Sequence, residues 1–273
     1  MTAESIIRSR RSVRTFDGNA LTPEELDRIR AAAEKADNPY GIPIRWHILD
    51  AKKHGLSSPV IVGEKVYLTG VLPRGPHAEE AFGFGFERLL LSCVEAGFGT
   101  VWIAGTLNRK AFEKAVGLRE GEIMPCVSPV GRPAEKMSVR ETLMRKGAGA
   151  DARLPFESLF FEGGFNTPLS PEKDPELTRI LELIRWAPSA VNKQPWRVVL
   201  DGDRFHFYEK HNRGYVSADG WDLQKIDVGI ALCHLAMGLE EIGGWSLELA
   251  DPGGTVPENV EYVATIRRNG RQH

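Results

Sequence analysis

The sequence predicts an α+β chain made of two related halves in tandem, and three observations carry that reading. An order of elements (helix, strand, long helix, strand) occurs twice along the 273 residues. Matching elements are displaced by about 150 residues in each comparison, a repeat of domain size rather than a solenoid unit. Between the two sets lies EGGFNTPLSPEKDP, a stretch rich in turn formers. The expected halves are residues 1–165 and 166–273, packed together as one unit.

In LTPEELDRIRAAAEKA, residues 21–36, apolar side chains recur at helical spacing. Thr22 is the expected N-cap and Pro23 the first helical residue, where a missing N–H is harmless. DPELTRILELIRWA, residues 174–187, starts in a similar way. Each helix leads through a turn into a strand, IRWHILD in one case and WRVVLD in the other. FGFGFERLLLSCVEAGFGT, residues 82–100, predicts a long, largely buried helix ending at Gly97. DVGIALCHLAMGLEEIGGW, residues 227–245, predicts its counterpart ending at Gly243. Glycine suits the left-handed position that closes a helix, where a side chain is strained. The strands MPCVSPVG and EYVATIRR follow at some distance.

With 42% apolar and 26% charged residues the chain falls in the range of soluble globular proteins, large enough for a substantial core. A net charge of -2 gives no basis for general attraction to nucleic acid or to a membrane surface. Cys93, Cys126 and Cys233 are odd in number and widely spaced, which argues for a reducing compartment over a disulfide framework. MTAESIIRSRRSVRTF carries charges where a signal peptide needs an apolar run, and no stretch approaches the ~20 apolar residues of a membrane span. A soluble cytoplasmic protein is expected.

Three segments offer chemistry. RSRRSVR, residues 8–14, concentrates guanidinium groups whose paired donors match phosphate oxygens, at roughly 1.5–3 kcal/mol per charge-assisted bond. The alternative is a solvated basic face at a helix C-terminus. PSAVNKQPW, residues 188–196, puts Ser189, Asn192 and Gln194 in one short irregular segment. A flat heterocycle with polar edge atoms would use them; an ordinary turn feeding a strand is the alternative. VWIAGT, residues 101–106, has a glycine that would let backbone amides approach a ligand, or it is a strand end and a turn.

Several familiar chemistries are missing. GFGF at Gly83 lacks the third glycine of a dinucleotide-binding turn and lies inside an apolar helix. There is no P-loop, HExxH or GxSxG. The histidines are scattered, with His47 and His206 in strand-like stretches and His77, His211 and His273 in exposed-looking ones, so no histidine metal site is expected. Without an obvious nucleophile, any chemistry falls to a cofactor.

RRSVRTF and APSAVNKQPWRVV resemble signature segments of the FMN-dependent nitroreductase family. RLPFESLF, residues 153–160, is similar to that family's phosphate-contacting C-terminal segment, and the long helix ending in GFGTVW fits its central helix. Members are usually homodimers with two composite FMN sites, each taking its arginines from one subunit and its Pro-Ser-x-x-Asn segment from the other. Here the motifs are shared between the halves of one chain. The first half keeps RRSVR but has DNPYGIPIRW where the second has PSAVNKQPW; the second half has GGFNTPLS where an arginine motif would fall.

The resemblance implies a nitroreductase-like fold and a pseudo-dimer within one chain, similar to the duplicated branch described as putative TM nitroreductases, with one intact FMN site and one vestigial site. On it, Arg10, Arg11, Ser12, Arg14 and Arg153 hold the phosphate and ribityl chain. Pro188, Ser189, Ala190, Asn192 and Gln194 line the isoalloxazine, and Trp102, Ile103, Ala104 and Gly105 lend backbone near its reactive edge. The family often has a lysine two residues before the last arginine; this chain has Asp151 there, so Arg140 stands as the alternative phosphate ligand. The implied activity is FMN-dependent NAD(P)H oxidoreduction, reducing nitroaromatic, quinone or related acceptors by ping-pong hydride transfer. A flavin-binding or sensory protein with little turnover is the alternative. Internal pairing removes the usual reason to dimerise, so a monomer is expected, with a small-molecule electron acceptor as its partner.

Overall fold

The computed structural model describes residues 1–136, 142 and 152–270. Arg140, Asp151 and His273 lie outside the described residues. The chain divides into two compact units: Met1, Arg8–Ala78 and Gly85–Ala150 in the first, Thr2–Ile7, Glu79–Phe84 and Asp151–His273 in the second.

After α1 (Ala3–Ser9), the first unit opens on α2 (Pro23–Lys35), and the capping box at its start is complete. Glu25 N donates to Thr22 Oγ1 at 3.2 Å, and Thr22 N donates to Glu25 Oε2 at 2.7 Å. β1 (Arg45–Asp50) and, after the short α3 (Ala51–His54), β2 (Val66–Pro73) pair antiparallel, with Arg45 opposite Val71. α4 (Ala78–Glu95) leads to β3 (Gly99–Thr100), α5 (Arg109–Val116), β4 (Glu122–Ile123) and β5 (Val127–Gly131). The sheet runs β1-β2-β5-β3, with β4 on β2. Its core gathers Val13, Phe16, Tyr67, Phe112, Ile103 and Val127, so the segment RRSVRTF is tied down by its two apolar members.

The second unit contains β6 (Phe160–Glu162), α6 (Pro175–Arg185), β7 (Trp196–Asp201), β8 (Arg204–Lys210), α7 (Leu223–Glu240), β9 (Trp245–Glu248) and β10 (Val260–Arg268). Its sheet runs β6-β7-β8-β10-β9. β6 lies parallel to β7, so residues grouped with the first half on sequence pair here with a strand of the second. Leaving β6 aside, the strand orders match: first strand, second strand, last strand, then the strand that follows the long helix.

α7 is buried almost all round, and its apolar residues from Ile226 to Leu239 leave no solvent face. The glycines of GFGF have packing reasons in place of a phosphate-binding one. A Cβ on Gly83 would stand 2.2 Å from Ile226 O, and one on Gly229 2.3 Å from Glu80 O, so the start of α4 and α7 cross backbone to backbone. Gly97 does take a left-handed φ of 88°, directly after the C-cap Ala96. α7 instead stops at Glu240, and Gly244 N closes the turn onto Leu239 O at 2.9 Å. Among the described residues no helix is long and apolar enough to cross a membrane.

Candidate functional site

In the first unit, the arginine segment is an extended strand-like edge. Val13 N donates to Thr100 O at 2.9 Å, Val62 N to Arg14 O at 2.9 Å, and Phe16 N to Val62 O at 2.8 Å. Side chains alternate across such a segment, so burying Val13 turns Ser12 and Arg14 to the opposite side. The approach to β3 is close enough that a Cβ on Gly99 would meet the Val13 side chain at 2.8 Å. Gly99 is therefore as much a part of the motif's geometry as its arginines.

Arg10 and Trp102 meet on one buried acid. Glu87, wholly buried in α4, receives Trp102 Nε1 at 2.7 Å and pairs with Arg10 Nε at 4.0 Å. The Trp102 ring also stands edge-on to Phe86, with centroids 4.9 Å apart. The next residues are held by backbone: Ile103 exchanges hydrogen bonds with Val127 at 2.9 Å, and Ala104 O accepts from Arg109, which also bonds Met124 O and Pro125 O. A Cβ on Gly105 would meet nothing within 4 Å. The backbone there borders open space, as a ligand-facing edge requires.

In the second unit, PSAVNKQPW forms a turn of unusual backbone. Val191, Asn192 and Gln194 have φ of 49°, 55° and 48°. A left-handed β-branched residue is a genuine outlier, and such strain persists only where surrounding structure over-determines it. Here the surroundings do so. Asp227, 3% exposed, accepts from Ala190 N through both oxygens, at 3.1 and 3.0 Å. Ser189 Oγ accepts from Gln194 N at 2.8 Å, and Trp196, fully buried, anchors the turn to β7.

The same turn grips the residues around Arg153. Asn192 Nδ2 donates to Ala152 O at 2.9 Å, Leu154 N to Gln194 Oε1 at 3.0 Å, and Arg185 Nε to Leu154 O at 2.9 Å. The Arg153 guanidinium lies 4.8 Å over the Trp186 ring. Gln194, at 2% exposure, works inside the turn, while Pro188, Ser189 and Ala190 remain partly exposed. Burial raises the Asp227 carboxyl well above its ordinary value, against the opposing pull of the Ala190 amide.

The family model described as Putative TM nitroreductase matches residues 3–239. The chain belongs to this nitroreductase family. Among solved structures, a protein of Thermotoga maritima described as a putative nitroreductase superposes with a TM-score of 0.64 at 20% identity, over 99% of this chain and 95% of its own. That match shows the nitroreductase fold. A nitroreductase family protein of Clostridium novyi and an FMN-dependent nitroreductase of Clostridium difficile align over 50% and 52% of this chain, and over 87% and 94% of their own. Their TM-scores are both 0.42, with identities of 17% and 16%. No curated protein matches the chain.

The nitroreductase segments lean on residues that motif reading passed over: Glu87, Asp227, Arg109, Arg185 and Trp186. Two of them left a signal, because Glu87 and Asp227 are acids within otherwise apolar helical runs. A buried acid in such a run needs a partner, and both have found a candidate segment. A cleft of about 390 Å³ in the second unit, bordered by Glu162, Lys173 and Asp201 among others, includes none of the candidate residues. Geometry and chemistry outweigh concavity here.

Proposed function

We propose that the chain binds one FMN and acts as an NAD(P)H oxidoreductase whose acceptors are nitroaromatics, quinones or related compounds, the two substrates using one pocket in turn. The observation that carries this reading is the strained turn at residues 189–194. It is a preorganised polar edge, fastened from beneath by Asp227 and tied to the segment of Arg153. The donor set suits FMN: guanidinium groups for a phosphate, and a rigid edge of amides and hydroxyls for a flat heterocycle.

FMN, when bound, supplies the hydride-accepting centre. Everything else falls to the chain. Arg11, Arg14, Ser12 and Arg153 hold the phosphate and ribityl chain, with Arg10 set in place by Glu87. Pro188, Ser189 and Ala190 border the ring, and Asn192 and Gln194 serve it by keeping that edge in its left-handed form. Trp102, Ile103, Ala104 and Gly105 offer backbone beside the reacting edge, where the lack of a side chain at Gly105 leaves room for a substrate. Cytoplasmic residence and a monomeric state go with this reading.

The test is the visible spectrum of the purified chain, with the flavin quantified, then NADH or NADPH added without oxygen. One FMN per chain, bleached by the nicotinamide and reoxidised by a nitroaromatic or a quinone, is the expected result. Bound FMN that no nicotinamide bleaches would favour a flavin-binding or sensory protein. A chain that takes up no flavin from excess FMN overturns the proposal.

A further inference from the structure

Next to the segment of residues 188–196, where Glu209 lies opposite Trp196 across the sheet, the second unit brings three side chains together. β8 carries Glu209 near its end, His211 follows the strand, and Asp222 caps α7 by accepting from Gln224 N at 2.8 Å. Folding sets one ligand atom from each of Glu209, His211 and Asp222 within 4.8 Å of one another. No metal-ligand spacing in the sequence announces them.

Glu209 is the decisive member. Its side chain is fully buried, and neither carboxylate oxygen accepts a hydrogen bond. His211 Nδ1 stands 2.8 Å from Oε1 without hydrogen-bond geometry. An interior carboxylate left that way is costly, and protonation, a paired cation or a metal ion relieves the cost. The other ring nitrogen, His211 Nε2, faces Glu261 Oε2 at 3.0 Å. A carboxylate on the far nitrogen is the outer-shell arrangement that orients metal-bound histidines and fixes their tautomer.

We propose that Glu209, His211 and Asp222 form a binding site for a divalent first-row transition ion, of which zinc is the form to test. Charge agrees. Glu209, Asp222 and Glu261 gather acidic groups around His211, with the Lys225 ammonium 3.5 Å from Glu261, so the place favours a cation. One imidazole with two carboxylates suits zinc, whereas an all-oxygen set would suit magnesium or calcium. His211 is 38% exposed, which admits water to the remaining coordination positions. The ion would join the end of β8 to the start of α7, pinning the intervening loop.

The full-length protein, stripped with EDTA and kept reduced, is titrated calorimetrically with zinc chloride, and with magnesium chloride as the hard-ion control. One saturable zinc site per chain, with a Kd of about 10 μM or tighter, is expected. H211A, at an exposed position, and the near-isosteric E209Q should each weaken it at least tenfold, with folding checked by circular dichroism. X-ray absorption should show only nitrogen and oxygen around zinc. Absence of a saturable site, zinc affinity unchanged in H211A, equal affinity for magnesium, or sulfur ligands from the cysteines would each overturn the proposal. Should E209Q fail to fold, H211A decides alone.

Discussion

At the residue scale, Asp227 shows how a buried acid can hold a strained turn in place. Its two oxygens accept the Ala190 amide and so hold the entry to the left-handed turn that continues through Val191 and Asn192. Burial is the larger influence on its carboxyl and raises its pKa well above the ordinary 3.8. The folded state therefore keeps a proton that the unfolded chain gives up, and wherever the native state binds more protons, stability falls as pH rises. The contribution is fully present below the ordinary value and is lost as pH climbs toward the folded one. Asp227→Asn removes the titration while keeping an oxygen for Ala190 N. Urea unfolding at pH 5 and pH 8 should show the variant gaining on the wild type at the higher pH. A difference unchanged between the two would mean that Asp227 does not titrate above its ordinary range.

At the scale of elements, the crossing of α4 and α7 depends on the absence of side chains. Gly83 and Gly229 each face a backbone carbonyl, so an added Cβ has no flexible group to displace. Gly83→Ala should destabilise by about 3 kcal/mol, the upper part of the range for overpacking. Gly75→Ala, where a Cβ meets nothing within 4 Å, should leave the unfolding midpoint nearly unchanged. Equal behaviour of the two variants would show that the helices can separate at little cost. The helix starts were legible because capping is local chemistry: Thr22, Pro23 and Glu25 specify one another within four residues. The end of α7 was less so, since Gly243 and Gly244 compete to close it and a contact back to Leu239 decides.

At the scale of the whole molecule, the two sheets share one strand order, β1-β2-β5-β3 and β7-β8-β10-β9. Together with the twofold order of elements, this supports descent from a duplicated half. If one half kept the arginines and the other the Pro-Ser-x-x-Asn turn, a single FMN per chain follows. The phosphate ligand can then be assigned by two variants. Arg153 is held by its neighbours' bonds to Asn192, Gln194 and Arg185, so Arg153→Met should weaken FMN binding roughly 10- to 100-fold, the worth of a charge-assisted bond. Arg140→Met should leave the affinity, read from quenching of flavin fluorescence, within twofold. The reverse outcome would give the phosphate to Arg140.

By itself the sequence determined the helices with complete caps, the apolar strands and the two signature segments, because all of these rest on periodicity or on residues a few positions apart. The anchoring of RRSVRTF through Val13 and Phe16 came only with the fold. Tertiary structure alone decided which residues support those segments. Glu87 under Arg10 and Trp102, and Asp227 under Ala190, are single acids whose partners lie well away along the chain. Each acid stands out in its apolar helix, but no local pattern marks the partner it will meet. A buried charge is tolerated only where the fold brings it a donor or an opposite charge, and that place exists only once the chain has closed around it.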